Sequence, residues 1–315
     1  MDLQAQVRQA ARKLLDDKQV DVVIGYEAAD EPLRTTPCFI RDSQEVDRLV
    51  WNPFCEHNLA GYLQGRQDKA AVVAKGCDSR AIVVLINESQ VQRDNITVIG
   101  VPCGGIVERK KIYRHLQGAD IREAVLEGDV ITVKGPGFSA ELKVEDFLAE
   151  CCKFCSHRNP VLFDIKIGED VPEVDSKEQY HEVARLEGSS SEERWEFFKK
   201  ELSKCVRCYA CREACPLCYC KQCFTDQSLP AWVGKTDDIS DTMAFHIMRA
   251  YHTTGRCVDC GNCERACPND VQIRLLTKKI EKDVKELFGS EAGLEIGEKT
   301  SMMVYKENDP QDFIK

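Results

Sequence analysis

The sequence predicts an α/β N-terminal domain, with a mostly parallel sheet and a hairpin, followed by an α-helical domain built around a repeated cysteine pattern. Three observations predict it. Short Val- and Ile-rich runs alternate with helical patterns from residue 20 to about 144, and strand alternating with helix signals an α/β sheet. Four cysteines spaced by two, two and three residues and closed by a proline occur twice, at 205–216 and 257–268. Between these regions, residues 169–192 are acidic, end in Gly188-Ser189-Ser190-Ser191, and hold neither period. A length of 315 residues suits about two domains.

Along the chain, residues 20–26 read as a buried strand. Residues 59–63 are helical after Pro53, 70–74 form a strand, and 81–86 are helical. A strand at 96–101 precedes a helix at 107–116. Residues 130–133 and 138–142 pair as a hairpin across Gly135-Pro136-Gly137, a turn dictated by its glycines and proline. The expected domains are 1–168, an acidic linker at 169–192, a helical domain at 193–290, and a tail at 291–315. In the helical domain, Trp195, Phe197, Phe198 and Leu202 lead into the first run, 243–251 precedes the second, and 271–287 follows it. The tail lacks periodicity and reads as surface wrapping or, through Met302, Met303, Val304 and Tyr305, as a partner-docking arm.

Composition narrows the function. The net charge is −10 and no basic stripe is present, which argues against nucleic acid as a partner. No run of 18 apolar residues exists, so no transmembrane segment is expected. The first fifteen residues are polar and amphipathic, unlike a secretory leader. The expected location is cytoplasmic and reducing, where 18 cysteines are metal ligands rather than disulfides.

The runs are Cys205, Cys208, Cys211, Cys215-Pro216 and Cys257, Cys260, Cys263, Cys267-Pro268. A 4Fe–4S cube needs a thiolate at each corner. Three closely spaced cysteines wrap one cube, and the fourth ligates the other cube in two-cluster ferredoxins. That rule groups Cys205, Cys208, Cys211 and Cys267 on one cluster, and Cys257, Cys260, Cys263 and Cys215 on the other. Structural zinc is the competing reading, but it uses cysteine pairs separated by a longer gap. Just after the first run, Cys218, Cys220 and Cys223 fall within six residues. They read either as buried thiols packed beside the cluster or as part of a further metal site that lacks an evident fourth ligand.

In the first domain Cys77 and Cys103 sit just past two predicted strands, where open α/β sheets place their sites. Cys152 and Cys155 form half a metal clamp. These four make either a four-thiolate site gathered from three segments, or two core thiols and an unrelated pair. Cys152-Lys153-Phe154-Cys155, followed by Phe163-Asp164-Ile165-Lys166-Ile167-Gly168, resembles a signature of the beta subunits of coenzyme F-420-reducing hydrogenase and formate dehydrogenase. The run 205–224, with its Cys-Pro-Leu-Cys-Tyr-Cys, is more similar to the formate dehydrogenase type, and the likeness covers most of residues 50–275. The resemblance implies a third 4Fe–4S cluster on Cys77, Cys103, Cys152 and Cys155, with an FAD beside it.

No Gly-x-Gly-x-x-Gly follows a strand, so flavin binding rests on the resemblance rather than on a dinucleotide fingerprint. The candidate cofactor contacts are Asn52, Gly76 and Gly104, where backbone can approach a ligand, with Asp78 beside them, and Lys75 and Arg80 as phosphate partners. Surface solvation is the competing reading for Lys75 and Arg80. The expected function is an iron–sulfur flavoprotein subunit that exchanges electron pairs at a flavin and single electrons at its clusters. Its expected partners are the catalytic subunit of a formate dehydrogenase or hydrogenase and a heterodisulfide-reductase-like subunit, or F-420 itself. The alternative is a ferredoxin-like carrier without flavin whose first domain only docks. No nucleophile motif or hydrolytic constellation accompanies the six scattered histidines; oxidation of formate or hydrogen needs a molybdenum, tungsten or nickel site, for which the chain shows no candidate, so that step is assigned to another subunit.

Overall fold

The computed structural model describes residues 2–236, 238–305, 307 and 309. The chain divides into two compact units, Met1–Ser79 with Val91–Val174, and Arg80–Gln90 with Asp175–Lys315.

The first unit opens on α1 (Leu3–Asp16), whose Val7, Ala11 and Leu14 share one face and are buried. They pack on a five-stranded sheet of order β2-β1-β3-β4-β8, formed by β1 (Val22–Ala28), β2 (Thr35–Ile40), β3 (Ala70–Ala74), β4 (Ile96–Gly100) and β8 (Ile165–Lys166). Only β2 runs antiparallel; β1, β3, β4 and β8 are parallel neighbours. Every residue of β3 is buried, as expected for a central parallel strand covered on both faces. Helices α2 (Gly76–Asn87) and α3 (Arg109–His115) follow β3 and β4. β5 (Glu123–Glu127), β6 (Val130–Gly135) and β7 (Phe138–Lys143) form a separate antiparallel sheet, with Ile131, Val133 and Leu142 turned into a second core. The short α4 (Glu150–Lys153) then carries Cys151 and Cys152.

The second unit is helical. α5 (His181–Glu187) packs on α10 (Arg274–Phe288). α6 (Ser191–Ser203) starts at a capping box in which the Ser190 hydroxyl accepts from the Glu193 amide and the Glu193 carboxylate accepts from the Ser190 amide. α7 (Ala210–Glu213) and α9 (Asn262–Arg265) are single turns within the two cysteine runs, α8 (Ile239–His252) lies between the runs, and α10 ends at Gly289 with φ +66°.

The parallel sheet and the hairpin follow the sequence reading, with strand ends shifted by one or two residues. Three differences have physical causes. Residues 169–192 are not a bare linker: α5 and the α6 cap lie there, because Val183 and Gln179 are buried and Glu182 and Glu187 pair with basic residues of α10. The second half of α2, from Arg80, belongs with the second unit. Residues 291–298 of the tail wrap on that half-helix, where Arg80 donates to the Ala292 carbonyl (2.7 Å) and Asn87 to the carbonyls of Glu295 and Glu298 (both 2.9 Å). Met302, Met303 and Tyr305 are exposed. The remainder of the expected docking arm, at 306, 308 and 310–315, lies outside the described residues.

Candidate metal centres

The two ferredoxin-type runs repeat one backbone conformation. Arg207 and Tyr209 in the first, and Asp259 and Gly261 in the second, have φ between +48° and +70°. These left-handed residues turn successive amides inward, the arrangement that cradles anions and iron–sulfur clusters. The Arg207 amide lies 3.3 Å from Cys205 Sγ and the Asp259 amide 3.4 Å from Cys257 Sγ. The third cysteine of each run rides on α7 or α9, which pack together, and the Asn262 side chain donates to the Ala214 carbonyl (2.8 Å).

The fourth cysteines cross over. Charge on Cys267 acts on Cys205 and Cys211, and charge on Cys215 acts on Cys260 and Cys263. Cys208 acts on Cys205, and Cys263 on Cys257. The fourth cysteine of each run thus lies near members of the other run, and the two runs also meet through Cys211 and Cys263. Burial pushes the Cys211 and Cys260 thiols up to about 12, so without metal they are protonated, and ligation must displace those protons.

Two buried side chains of α8 face these sulfurs. His246 Nε2 lies 3.2 Å from Cys205 Sγ, and burial, followed by the Arg249 charge, brings its imidazole down to about 4, leaving a neutral ring. His246 is 2% exposed, and its contact with Cys205 Sγ puts it beside the first run rather than at the surface. Arg249, 4% exposed, makes no ion pair with Asp or Glu among the described residues, and its Nε has no hydrogen-bond partner. Burial alone would lower its pKa. The sulfur charges of Cys263, Cys215, Cys218 and Cys211 more than offset this and hold it well above the usual value. A buried cation whose counter-charges are thiolates fits anionic iron–sulfur centres. Sequence reasoning missed both residues; the available signal was a basic pair on the otherwise buried face of Thr242, Phe245 and Ala250.

In the first unit, the carboxyl ends of β3 and β4 bring three segments together. Gly76 packs against the backbone of 157–159, where a side chain would strike the His157 carbonyl oxygen. Gly105, at φ +119°, leaves a Cβ position 3.4 Å from Cys152 Cβ. The Cys103 amide donates to the Arg158 carbonyl (3.0 Å), and the Arg158 guanidinium donates to the Cys152 carbonyl (3.2 Å). Cys155 follows one turn on, its amide 3.4 Å from the Cys152 carbonyl. Cys77 and Cys103 both act on the Lys75 ammonium, which is held charged against its burial by Asp78 first, then by Tyr26 and these two thiols. Cys55, buried at the end of the Trp51–Phe54 segment and pushed up to about 12 by that burial, neighbours Cys103.

The candidate flavin contacts fare differently. Lys75 is 1% exposed, and its ammonium is engaged by Asp78 (2.9 Å), Tyr26 and the His57 carbonyl (2.9 Å). Arg80, 3% exposed, is engaged by Ala292 and Glu291. Neither presents a free charge to a phosphate, which corrects that expectation. Asp78 is fully buried and accepts from the amides of Leu59 and Lys75. Asn52 accepts from the Phe54 amide (2.9 Å), shaping the turn at Pro53. What approaches Gly76 is chain, not ligand. Gly104 alone faces open space.

Residues 201–271 match the model of a 4Fe-4S dicluster domain. The F420-dependent formate dehydrogenase subunit beta of Methanocaldococcus jannaschii is 24% identical, with 90% of this chain and 89% of that protein covered. The F420-dependent formate dehydrogenase 1 subunit beta of Methanococcus maripaludis is 26% identical, with 90% and 88% covered. The chain fits the beta-subunit family of coenzyme F-420 hydrogenases and dehydrogenases. With the dicluster match, these likenesses support an iron–sulfur subunit of an oxidoreductase. A solved structure of the F420-reducing [NiFe] hydrogenase complex from Methanosarcina barkeri shows a loose likeness, with a TM-score of 0.40 at 11% identity over 64% of this chain and 86% of that one. Among the described residues, no helix is long and apolar enough to cross a membrane.

Proposed function

We propose that this chain is the FAD- and iron–sulfur-carrying electron-transfer subunit of a cytoplasmic oxidoreductase complex. Twelve of its cysteines ligate three 4Fe–4S clusters. Cys205, Cys208, Cys211 and Cys267 hold one, Cys257, Cys260, Cys263 and Cys215 a second, and Cys77, Cys103, Cys152 and Cys155 a third. The observation that carries this reading is the crossing of the fourth cysteines, because only paired cubes call for Cys267 beside Cys205 and Cys215 beside Cys260. When bound, a flavin exchanges electrons in pairs or singly, whereas each cluster exchanges one at a time.

The chain's own residues set the environment of that exchange. The inward amides of Arg207 and Asp259 and the neutral imidazole of His246 bond to ligand sulfurs. The Lys75 and Arg249 charges oppose the negative charge of the thiolates. Gly104, with open space above it, is the remaining backbone candidate for close flavin approach. Primary oxidation of formate or hydrogen belongs to a partner subunit, and the electrons pass to a heterodisulfide-reductase-like partner or to F-420.

An iron and flavin assay on anaerobically purified protein tests the reading. About twelve irons, four per cluster, and one flavin are expected. About eight irons with no yellow cofactor would instead support a ferredoxin-like carrier with a docking domain. In Cys103→Ala, flavin-dependent dye reduction should be lost while the two ferredoxin-type signals persist. Unchanged iron and activity in that variant would remove the third cluster.

A further inference from the structure

Arg249 reaches both ferredoxin-type ligand sets. Its Nη2 donates to the carbonyl of Cys211, in the first set, at 3.1 Å. Charge on Cys218 also acts on the same guanidinium. It also lines a narrow cleft with Cys215, Cys257, Cys260 and Cys263, the complete second set. Its backbone sits near the end of α8, with the buried Phe245 and Ala250 on the same face, so the side chain cannot swing to solvent.

We propose that Arg249 is a positioning residue for electron transfer, whose fixed charge, held against both four-cysteine sets, raises the reduction potentials of the two ferredoxin-type centres together. This rests on the reading that both sets hold cubes. Reduction adds one electron to a centre and neither forms nor breaks a bond. The reduced form carries one more negative charge, and a nearby cation stabilises it more than the oxidised form. The guanidinium stays protonated at every working pH, so the bias is constant. One charge serving both sets moves the two potentials in the same direction, so it adds little to the step between the centres. His246 touches only Cys205 among the ligand sulfurs and so acts on one set.

The test is an EPR-monitored redox titration of the full chain, purified anaerobically and reduced with dithionite. R249Q retains a donor for the Cys211 carbonyl and loses the charge; R249K retains both. R249Q should lower both midpoints by at least 59 mV, a tenfold change in a one-electron equilibrium, with parental iron content. R249K should keep the parental midpoints. A smaller shift in R249Q, or a shift of one centre alone, overturns the proposal. If R249Q loses iron and R249K retains it, the charge is needed to hold two anionic centres, which supports the proposal. If both variants lose iron, the residue acts by shape and the proposal fails. A parent protein lacking two one-electron centres overturns the underlying reading, whereas flat R249Q midpoints against a normal parent overturn this proposal alone.

Discussion

Arg274 anchors the second cysteine run, and Arg274→Gln should loosen that run. Its side chain is 2% exposed. Its Nη1 donates to Asp259 (3.1 Å) and its Nε to Glu264 (3.0 Å), and it also pairs with Glu182 of α5. Asp259 lies between Cys257 and Cys260, and Glu264 sits on α9 beside Cys263, so one residue of α10 fixes both parts of the run. Removing one partner of a buried ion pair costs about 3–5 kcal/mol. Here Asp259 keeps Lys278 at 3.1 Å, and the side chains of Glu182 and Glu264 are 19% and 25% exposed, so water recovers part of the loss. About 2–3 kcal/mol remains, which lowers Tm by about 4–12 °C in a domain of this size. Thermal unfolding followed by cluster absorbance measures it. The pH dependence supplies a second reading. Burial alone would raise the Asp259 pKa, but Lys278 and Arg274 more than offset it and hold the carboxyl below its usual range. A depressed carboxyl contributes stability that is present above its unfolded pKa of about 3.9 and is lost as pH falls through its folded value. The gap between parent and variant should therefore be constant from pH 8 to pH 6 and narrow only below about pH 4. A Tm change under about 2 °C, or a gap that widens from pH 8 to pH 6, would refute the argument.

Gly76→Ala places a methyl against the His157 carbonyl oxygen and 3.0 Å from the Arg158 carbonyl carbon; backbone cannot yield cheaply, so a cost of about 1–3 kcal/mol and a fall in iron toward about eight per chain are expected, and full iron at parental stability would count against Gly76 as the device that closes the third site. Glu88 accepts from Tyr219 and Arg256 (both 2.7 Å) with its side chain 6% exposed; Glu88→Gln should free the loop after Cys215, read as faster alkylation of Cys218 and Cys220, whereas parental labelling rates would show the loop held by other contacts. The Cys211 and Cys260 thiols, pushed up to about 12 by burial, must shed protons to bind metal; cluster reconstitution of apoprotein should be more complete at pH 9 than at pH 7, and an equal yield would show those thiols to be already ionised.

Much of the fold was legible because its signals are local. The all-apolar run of β3 and the Gly-Pro-Gly turn between β6 and β7 need no tertiary information. β2 was not legible: Pro37 sits in its middle, and the strand exists because it pairs antiparallel with the edge of β1 and buries Cys38 and Ile40. β8 escaped for the same reason, being two residues paired to β4. In the site, cysteine spacing announced the two runs, since the chain has few other ways to wrap a cube. The role of Lys75 was inverted. A lysine at a strand end next to a glycine suggests phosphate binding, and only the fold shows Asp78, Tyr26 and the His57 carbonyl closing over it. Arg249 carries no spacing signature, because its partners come from both runs.

Lys75 and Arg249 share a logic that the cysteine motifs do not express. Each is a cation with almost no exposed surface, and each has cysteine sulfurs among the charges that keep it ionised. An isolated buried cation is expensive and would ordinarily shed its proton or its burial. Lys75 offsets the cost with Asp78; Arg249 pairs with no carboxylate among the described residues, and the charges that chiefly raise its pKa are those of cysteine sulfurs. The first unit can therefore keep its buried cation with the thiols protonated. The second unit, without thiolates, is left with an uncompensated guanidinium at its centre. Metal loading and folding are thus coupled more tightly in the ferredoxin-type unit than in the α/β unit. On that account, stripping iron should unfold the helices around α8 while the parallel sheet persists.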